Sequence, residues 1–372
     1  MDIVLSMTLG INALIIFLLI EKLKFNFANI YLLGLLISVF IGTAFTIYIN
    51  HYSPPPPLIA DIINSLPVLS GTLTYFYIKD SLFKAERFKP SLVLHLLPFG
   101  LAIILYSFDK DELSLVSLFL NIGLKICVSI VYILVSLNII KKQQILTKNH
   151  FSNTDSVDLK WLAFIVKTGL FTYILYLIIL CFWFFKIQIV ENLVSYANLI
   201  VLIYILPIAY YGLTATNVFI KISSINSQID DAFDSNDDSD QITINNGPKE
   251  LINSEKADEI YANLIEQIDI QKLYRLENLT LEDLAKALNL HSRYLSYVIN
   301  TKSGKTFFDL INHFRIKEFN IEVLNPQNKH LTILAIAFNC GFGSKSSFNR
   351  AYKSEMGISP TQFIKASSLQ LK

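Results

Sequence analysis

The stretch that decides the fold is Ala337-Phe338-Asn339-Cys340-Gly341-Phe342-Gly343-Ser344, followed by Phe348, Arg350, Gly357 and Pro360. Upstream of it, Ile333, Ile336 and Ala337 recur at helical spacing, and the run is broken by Gly341, a residue suited to a tight turn. Apolar positions then resume at Phe348, Ala351 and Tyr352. Lys345, Ser346, Asn349, Arg350 and Lys353 fall between them and share the opposite helical face. Two short helices about a turn, the second with a polar and basic outer face, spell a helix-turn-helix over about residues 332–354.

The same grammar occurs a second time, over about residues 280–302. Thr280 is placed to cap a helix whose apolar face is Leu281, Leu284, Ala285 and Leu288. A turn through Asn289 to His291 leads to Leu295, Val298 and Ile299 facing inward, with Arg293, Ser296, Tyr297 and Asn300 facing out. Ala285 precedes Leu295 by ten and Gly304 by nineteen; Ala337 precedes Phe348 by eleven and Gly357 by twenty. An amphipathic helix over about 306–324 would fix the separation of the units. A further helical pattern starts at about Ser254, with Ile260, Leu264, Ile265 and Ile268 on one face.

These segments resemble the C-terminal domain of AraC/XylS-type transcription regulators. The resemblance rests on Leu279-Thr280-Leu281-Glu282-Asp283-Leu284-Ala285, on Phe307-Phe308-Asp309-Leu310-Ile311-Asn312-His313-Phe314-Arg315-Ile316, and on Gly341 to Lys353 with Gly357-Ile358-Ser359-Pro360. It covers about a hundred residues. It implies two units entering successive major grooves of double-stranded DNA, joined by a rigid helix. By position, Arg293, Ser296 and Tyr297, with Lys345, Ser346 and Arg350, fall where that family reads bases. His291 stands where the family usually has a serine cap, and the first recognition helix is poorer in base than the second. The rest of the chain resembles the multi-spanning sensors of a membrane-bound subgroup.

Composition separates the two halves. The chain is 53% hydrophobic and 16% charged over 372 residues, outside the soluble norm. From His291 onward, eleven Lys/Arg face four acids, a balance of +7 that the whole-chain charge of +1 conceals. Seven apolar segments can span a bilayer: about 3–20, 27–49, 58–78, 91–108, 113–140, 161–185 and 193–219. Alternate loops carry ten basic residues against two, which puts the N-terminus outside and the C-terminus in the cytoplasm of a cell inner membrane. Pro67, Pro98 and Pro207 are expected to kink their helices. Lys167 can snorkel to the near surface, whereas Lys125 is mid-span and needs a partner or a purpose. Asp61 could be that partner, and the two are the candidate sensing residues.

The expected architecture is therefore all-α: a seven-helix transmembrane bundle over 1–220, a flexible acidic linker over 221–253, and a DNA-binding domain over 254–372. The linker has six Asp between positions 230 and 240 and no base, too polar to order itself. Cys127, Cys181 and Cys340 lack metal-ligand or disulfide spacing. No catalytic constellation, metal set or cofactor loop is legible, which argues against an enzyme. The expectation is a membrane-tethered, signal-responsive regulator, pairing as a homodimer on DNA and answering a small molecule or membrane signal. The competing reading is a seven-helix receptor or transporter whose tail is a protein-interaction platform.

Overall fold

A computed structural model describes residues 2–23, 27–83, 90–107, 114–154, 159–184, 204–208, 210–211, 213 and 254–370. The acidic linker and most of the seventh expected span lie outside the described residues. The chain divides into two compact units, one from 1–142 and 159–236, the other from 143–158 and 237–372. Among the described residues the structure is helical, with one isolated antiparallel bridge between Phe151 and Thr280.

The first unit contains α1 (Asp2–Lys22), α2 (Asn29–His51), α3 (Pro57–Ser65), α4 (Leu69–Leu82), α5 (Leu97–Ser107), most of α6 (Ser114–His150), and α7 (Lys160–Phe184). Helices α1 and α2 pack together, burying Leu5, Ile15 and Leu19 with Leu32, Leu35 and Leu36. Asn12 donates its Nδ2 to the Leu36 carbonyl at 3.0 Å, which gives the donor side of a buried amide a partner. Ile3, Met7, Leu14 and Phe17 meanwhile stay more than half exposed. The outer face of α1 is thus as apolar as its inner face.

Among the described residues three helical stretches are long and apolar enough to cross a membrane: Ile3–Lys22, Asn29–His51 and Phe119–His150. The expected third span is interrupted at Pro67. Helix α3 gives way to a 3-10 turn at Leu66–Val68 before α4 begins, because Pro67 supplies no backbone N–H and cannot continue an α-helix. The expected fourth span is a 3-10 stretch, Pro90–Leu96, followed by the eleven residues of α5. Pro98 does not kink that helix but occupies its first turn, where its missing donor costs nothing. Helix α6 runs ten residues past the expected boundary at 140. At 1.5 Å per residue, its 37 residues reach about 55 Å, well beyond a bilayer core of about 30 Å.

The second unit is built on the last turns of α6 and on α8 (Ser254–Gln271), α9 (Leu281–Ala287), α10 (Ser292–Ser303), α11 (Phe307–Glu322), α12 (Ile333–Asn339), α13 (Lys345–Met356) and α14 (Pro360–Gln370). It has two cores. Leu264, Ile268, Leu281, Leu284, Leu295 and Ile299 form the first, and Ile336, Ala337, Phe342, Phe348 and Tyr352 the second. Helix α11 feeds both: Phe307, Leu310, Ile311 and Phe314 enter the first, Ile316 and Phe319 the second. The expected linker helix is thus a shared wall.

Charged groups hold the seam between the cores. The buried Glu318 carboxylate accepts from Arg275 Nε at 3.1 and 3.0 Å and from Lys272 Nζ at 2.9 Å. Burial raises its pKa, but Arg275 and Lys272 outweigh that and hold it below the ordinary glutamate value. A depressed native pKa contributes stability above the unfolded value, which is lost as pH falls through the native one. Glu318→Gln is therefore expected to cost about 1.5 kcal/mol at neutral pH, since both partners are half exposed and can regain water. The gap between variant and parent should narrow when pH is taken from neutrality to well below the ordinary glutamate value. Urea-dependent pulse proteolysis of the second unit, at both pH values, measures it.

Candidate nucleic-acid interface

Both recognition helices are built alike. Helix α10 starts at His291, whose Nδ1 accepts the Arg293 backbone N–H at 3.3 Å, so the imidazole itself serves as the cap. Helix α13 starts at Ser344, whose hydroxyl accepts from the Ser347 backbone at 3.1 Å. Each ends on a left-handed glycine, Gly304 at φ 65° and Gly357 at φ 72°, the conformation that lets the chain leave a helix without a Cβ penalty. The helices before them are capped by Thr280, with Asp283 completing a capping box, and by Thr332. Both turns also use a positive φ, at Asn289 and at Gly341.

The inward faces are those the apolar pattern gives. Leu295, Val298 and Ile299 are buried under α10, and Phe348, Ala351 and Tyr352 under α13. On the outer face of α10, Arg293 and Asn300 are exposed, Ser296 and Tyr297 half-buried. Asn300 donates to the Ser296 hydroxyl at 3.5 Å, which places them side by side. On α13, Lys345, Ser346, Asn349, Arg350 and Lys353 are all exposed. Ser346 lies 2.9 Å from the capping hydroxyl of Ser344. The structure thus groups the nine expected reading residues on the outer faces of two helices, four on α10 and five on α13.

The basic balance of the tail overstates the charge those faces present. Arg315 is 1% exposed. Lys302 pairs with Asp258 at 2.6 Å and Lys305 with Glu355 at 3.1 Å. The positive charge toward solvent on the recognition faces is carried by Arg293, Lys345, Arg350 and Lys353.

Sequence reading missed the role of Arg315. Its guanidinium donates to the carbonyls of Tyr274 at 2.7 Å, Leu276 at 2.8 Å, Glu277 at 3.3 Å and Ser152 at 3.1 Å, and to the Ser152 hydroxyl at 3.1 Å. It also lies 5.7 Å over the Phe342 ring. Burial among neutral carbonyls lowers its pKa to about 10, with Glu277 opposing the shift. The signal available in sequence was its register: Ile311, Arg315 and Phe319 are four apart on one face of α11, and the outer two are core residues.

In the first unit, Lys125 Nζ donates to the Tyr106 hydroxyl at 2.8 Å and lies 4.9 Å over its ring. Asp61 accepts from the Ser107 hydroxyl at 3.3 Å. The two candidate sensing residues thus meet neighbouring residues of α5 rather than each other.

Comparison with known proteins fits this geometry. Residues 284–366 match the family model described as a helix-turn-helix domain. The tail is an AraC-type helix-turn-helix domain. The chain is also 30% identical over 115 residues to the Msm operon regulatory protein of Streptococcus mutans serotype c. That alignment covers 31% of this chain and 40% of the relative, so the chain spans less than half of the relative's length. No solved structure matches the chain.

Proposed function

We propose that this protein is a membrane-tethered, sequence-specific transcription regulator that responds to a signal, with no catalytic activity of its own. The observation that carries the reading is the pair of equivalent recognition helices, each apolar beneath and polar outside, in a chain whose N-terminal helices are long and apolar enough to cross a bilayer. In this reading α10 and α13 enter successive major grooves. Arg350 reads a base edge, and Lys353, further along α13, meets phosphate. The alternating loop charges set the N-terminus outside and the tail in the cytoplasm. Seven spans, a homodimer on paired sites and a small-molecule or membrane signal at the outer half of the bundle, near Lys125 and Asp61, complete the proposal. An operon regulator among the similar proteins supports it.

The test uses the full chain in detergent and a pool of randomised duplexes. A selected subset should be retained, with affinity falling roughly a thousandfold between about 50 and 200 mM salt if some six phosphates are neutralised. Retention of no duplex at the lower salt overturns the reading and favours a protein-interaction tail. On the selected duplex Arg350→Ala should cost about 1–3 kcal/mol and relax one base position. Lys353→Ala should weaken selected and random DNA alike.

A further inference from the structure

The last residues of α6 and the three that follow belong to the DNA-binding unit, although 163 residues separate Ser152 from Arg315. Lys148 Nζ lies 5.7 Å over the ring of Phe308 in α11. Phe151 makes a β-bridge with Thr280, the cap of α9, and the Ser152 backbone N–H donates to the Leu279 carbonyl at 3.1 Å. Asn153 reaches Glu277 at 3.5 Å. Both of those side chains lie against the turn of the second helix-turn-helix, since a Cβ on Gly343 would come within 2.7 Å of Asn153 Nδ2 and 2.5 Å of Glu277 Oε1.

The centre of this contact is Arg315. Ser152 supplies two acceptors, a carbonyl and a hydroxyl, to a guanidinium that also binds the 274–277 turn and faces Phe342. One side chain therefore ties together residue 152, the approach to the first helix-turn-helix, the shared helix α11 and the turn of the second helix-turn-helix. If Ser152 is withdrawn, Nη1 keeps only a marginal 3.5 Å contact with Asn312. A buried donor cannot remain so, and the guanidinium must turn or the seam open. Ser152 seated and Ser152 withdrawn would then be the two arrangements that a coupling element needs.

We propose that residues 148–153 are a coupling strap, through which displacement of the long helix α6 changes the fixed relation of the two helix-turn-helix units and so the affinity for DNA. The inference rests on the DNA-reading role proposed above. It supplies a route that avoids the acidic linker, whose composition suits it poorly to transmit torque. Seating of the strap is the tight-binding state, because it clamps both units to α11.

The experiment measures binding of the full chain in detergent to the duplex it selects from a randomised pool, and to the same duplex with the bases of one of its two contacted grooves scrambled. Ser152→Thr, Ser152→Ala and Ser152→Pro are compared. Threonine keeps both acceptors and the N–H, alanine loses the hydroxyl, and proline also loses the donor to Leu279. Two-groove affinity should stay at the parent value for threonine, fall a few-fold for alanine and fall about tenfold for proline, a coupling of ordinary size. Scrambled-duplex affinity should change less than about threefold throughout. In a second measurement the pair Phe151→Cys and Thr280→Cys, oxidised, should bind the two-groove duplex more tightly than its own reduced form, which carries the same loss of the Thr280 cap. Equal affinity across the series, or equal loss on both duplexes, makes the strap inert or merely structural and overturns the proposal. A parent chain that selects no duplex overturns the DNA-reading premise and the proposal with it, and is distinguishable because every variant then behaves alike on every duplex.

Discussion

Arg315→Ala is expected to remove about 3–5 kcal/mol from the stability of the second unit, the largest loss of any single substitution considered. The side chain is 1% exposed and serves four carbonyls and a hydroxyl contributed by residues 152 and 274–277. Removing it strands those acceptors, each costing about 1–3 kcal/mol where water cannot enter, and opens a cavity against Phe342. Relaxation recovers part of the loss, which keeps the total near that of breaking a buried ionic network. Arg315→Lys should recover little, because an ammonium on a flexible stem cannot reproduce the planar fork. Pulse proteolysis of the full chain in urea should show the midpoint for the second unit falling by about 2 M at ordinary slopes, with the first unit unmoved. A shift under about 0.5 M would mean that the carbonyls find other donors.

Gly341→Ala comes next. At φ 98° an L side chain is strained whatever the space. Here there is no space, since a Cβ would lie 2.3 Å from the Tyr274 carbonyl oxygen and 2.9 Å from Arg275 backbone atoms. The obstacle is backbone rather than a movable side-chain end. The turn of the second helix-turn-helix must therefore retreat from the 274–275 segment, disturbing the Arg315 contact to the same carbonyl. The expected cost is about 3 kcal/mol or more, combining φ strain with overpacking. Gly304→Ala makes the control: its φ is similar in sign but nothing lies within 4 Å, so only the strain of about 1–3 kcal/mol remains. Equal losses at the two glycines would refute the close-approach argument.

Local periodicity made the doubled helix-turn-helix legible. Caps, turns and apolar faces lie within a few residues of the features they produce, so Thr280, Leu295, Gly341 and Phe348 could be placed from the chain alone, whereas the cap at Ser344 and the helix-ending roles of Gly304 and Gly357 emerged from the fold. What stayed hidden was long-range. Lys141 and Lys142 mark the end of an apolar segment and read as a loop, yet lysine is a good helix former and α6 passes through both. Ser152 carries no pattern at all; its significance comes from a partner 163 residues away. Arg315 was counted with the basic residues, because charge in a sequence says nothing of burial. In the first unit, Pro67 and Pro98 were legible as perturbations, but whether a proline breaks a span or begins a helix depended on neighbours that the sequence does not rank.

The shared helix and the split second unit also bear on how the protein is made. Synthesis proceeds at about 5–20 residues per second, so residue 152 precedes its guanidinium partner by roughly 8–30 s. During that interval the carbonyl and hydroxyl of Ser152 lack their folded-state partner. The tail completes the hydrogen bonds of Arg315 with a segment laid down earlier, so it is expected to be less stable without that segment. A cut anywhere between residues 159 and 253 would free a tail lacking its own residues 143–158. Such a fragment would carry Arg315 with two acceptors missing, which makes it shorter-lived than the intact chain and a poor long-term messenger.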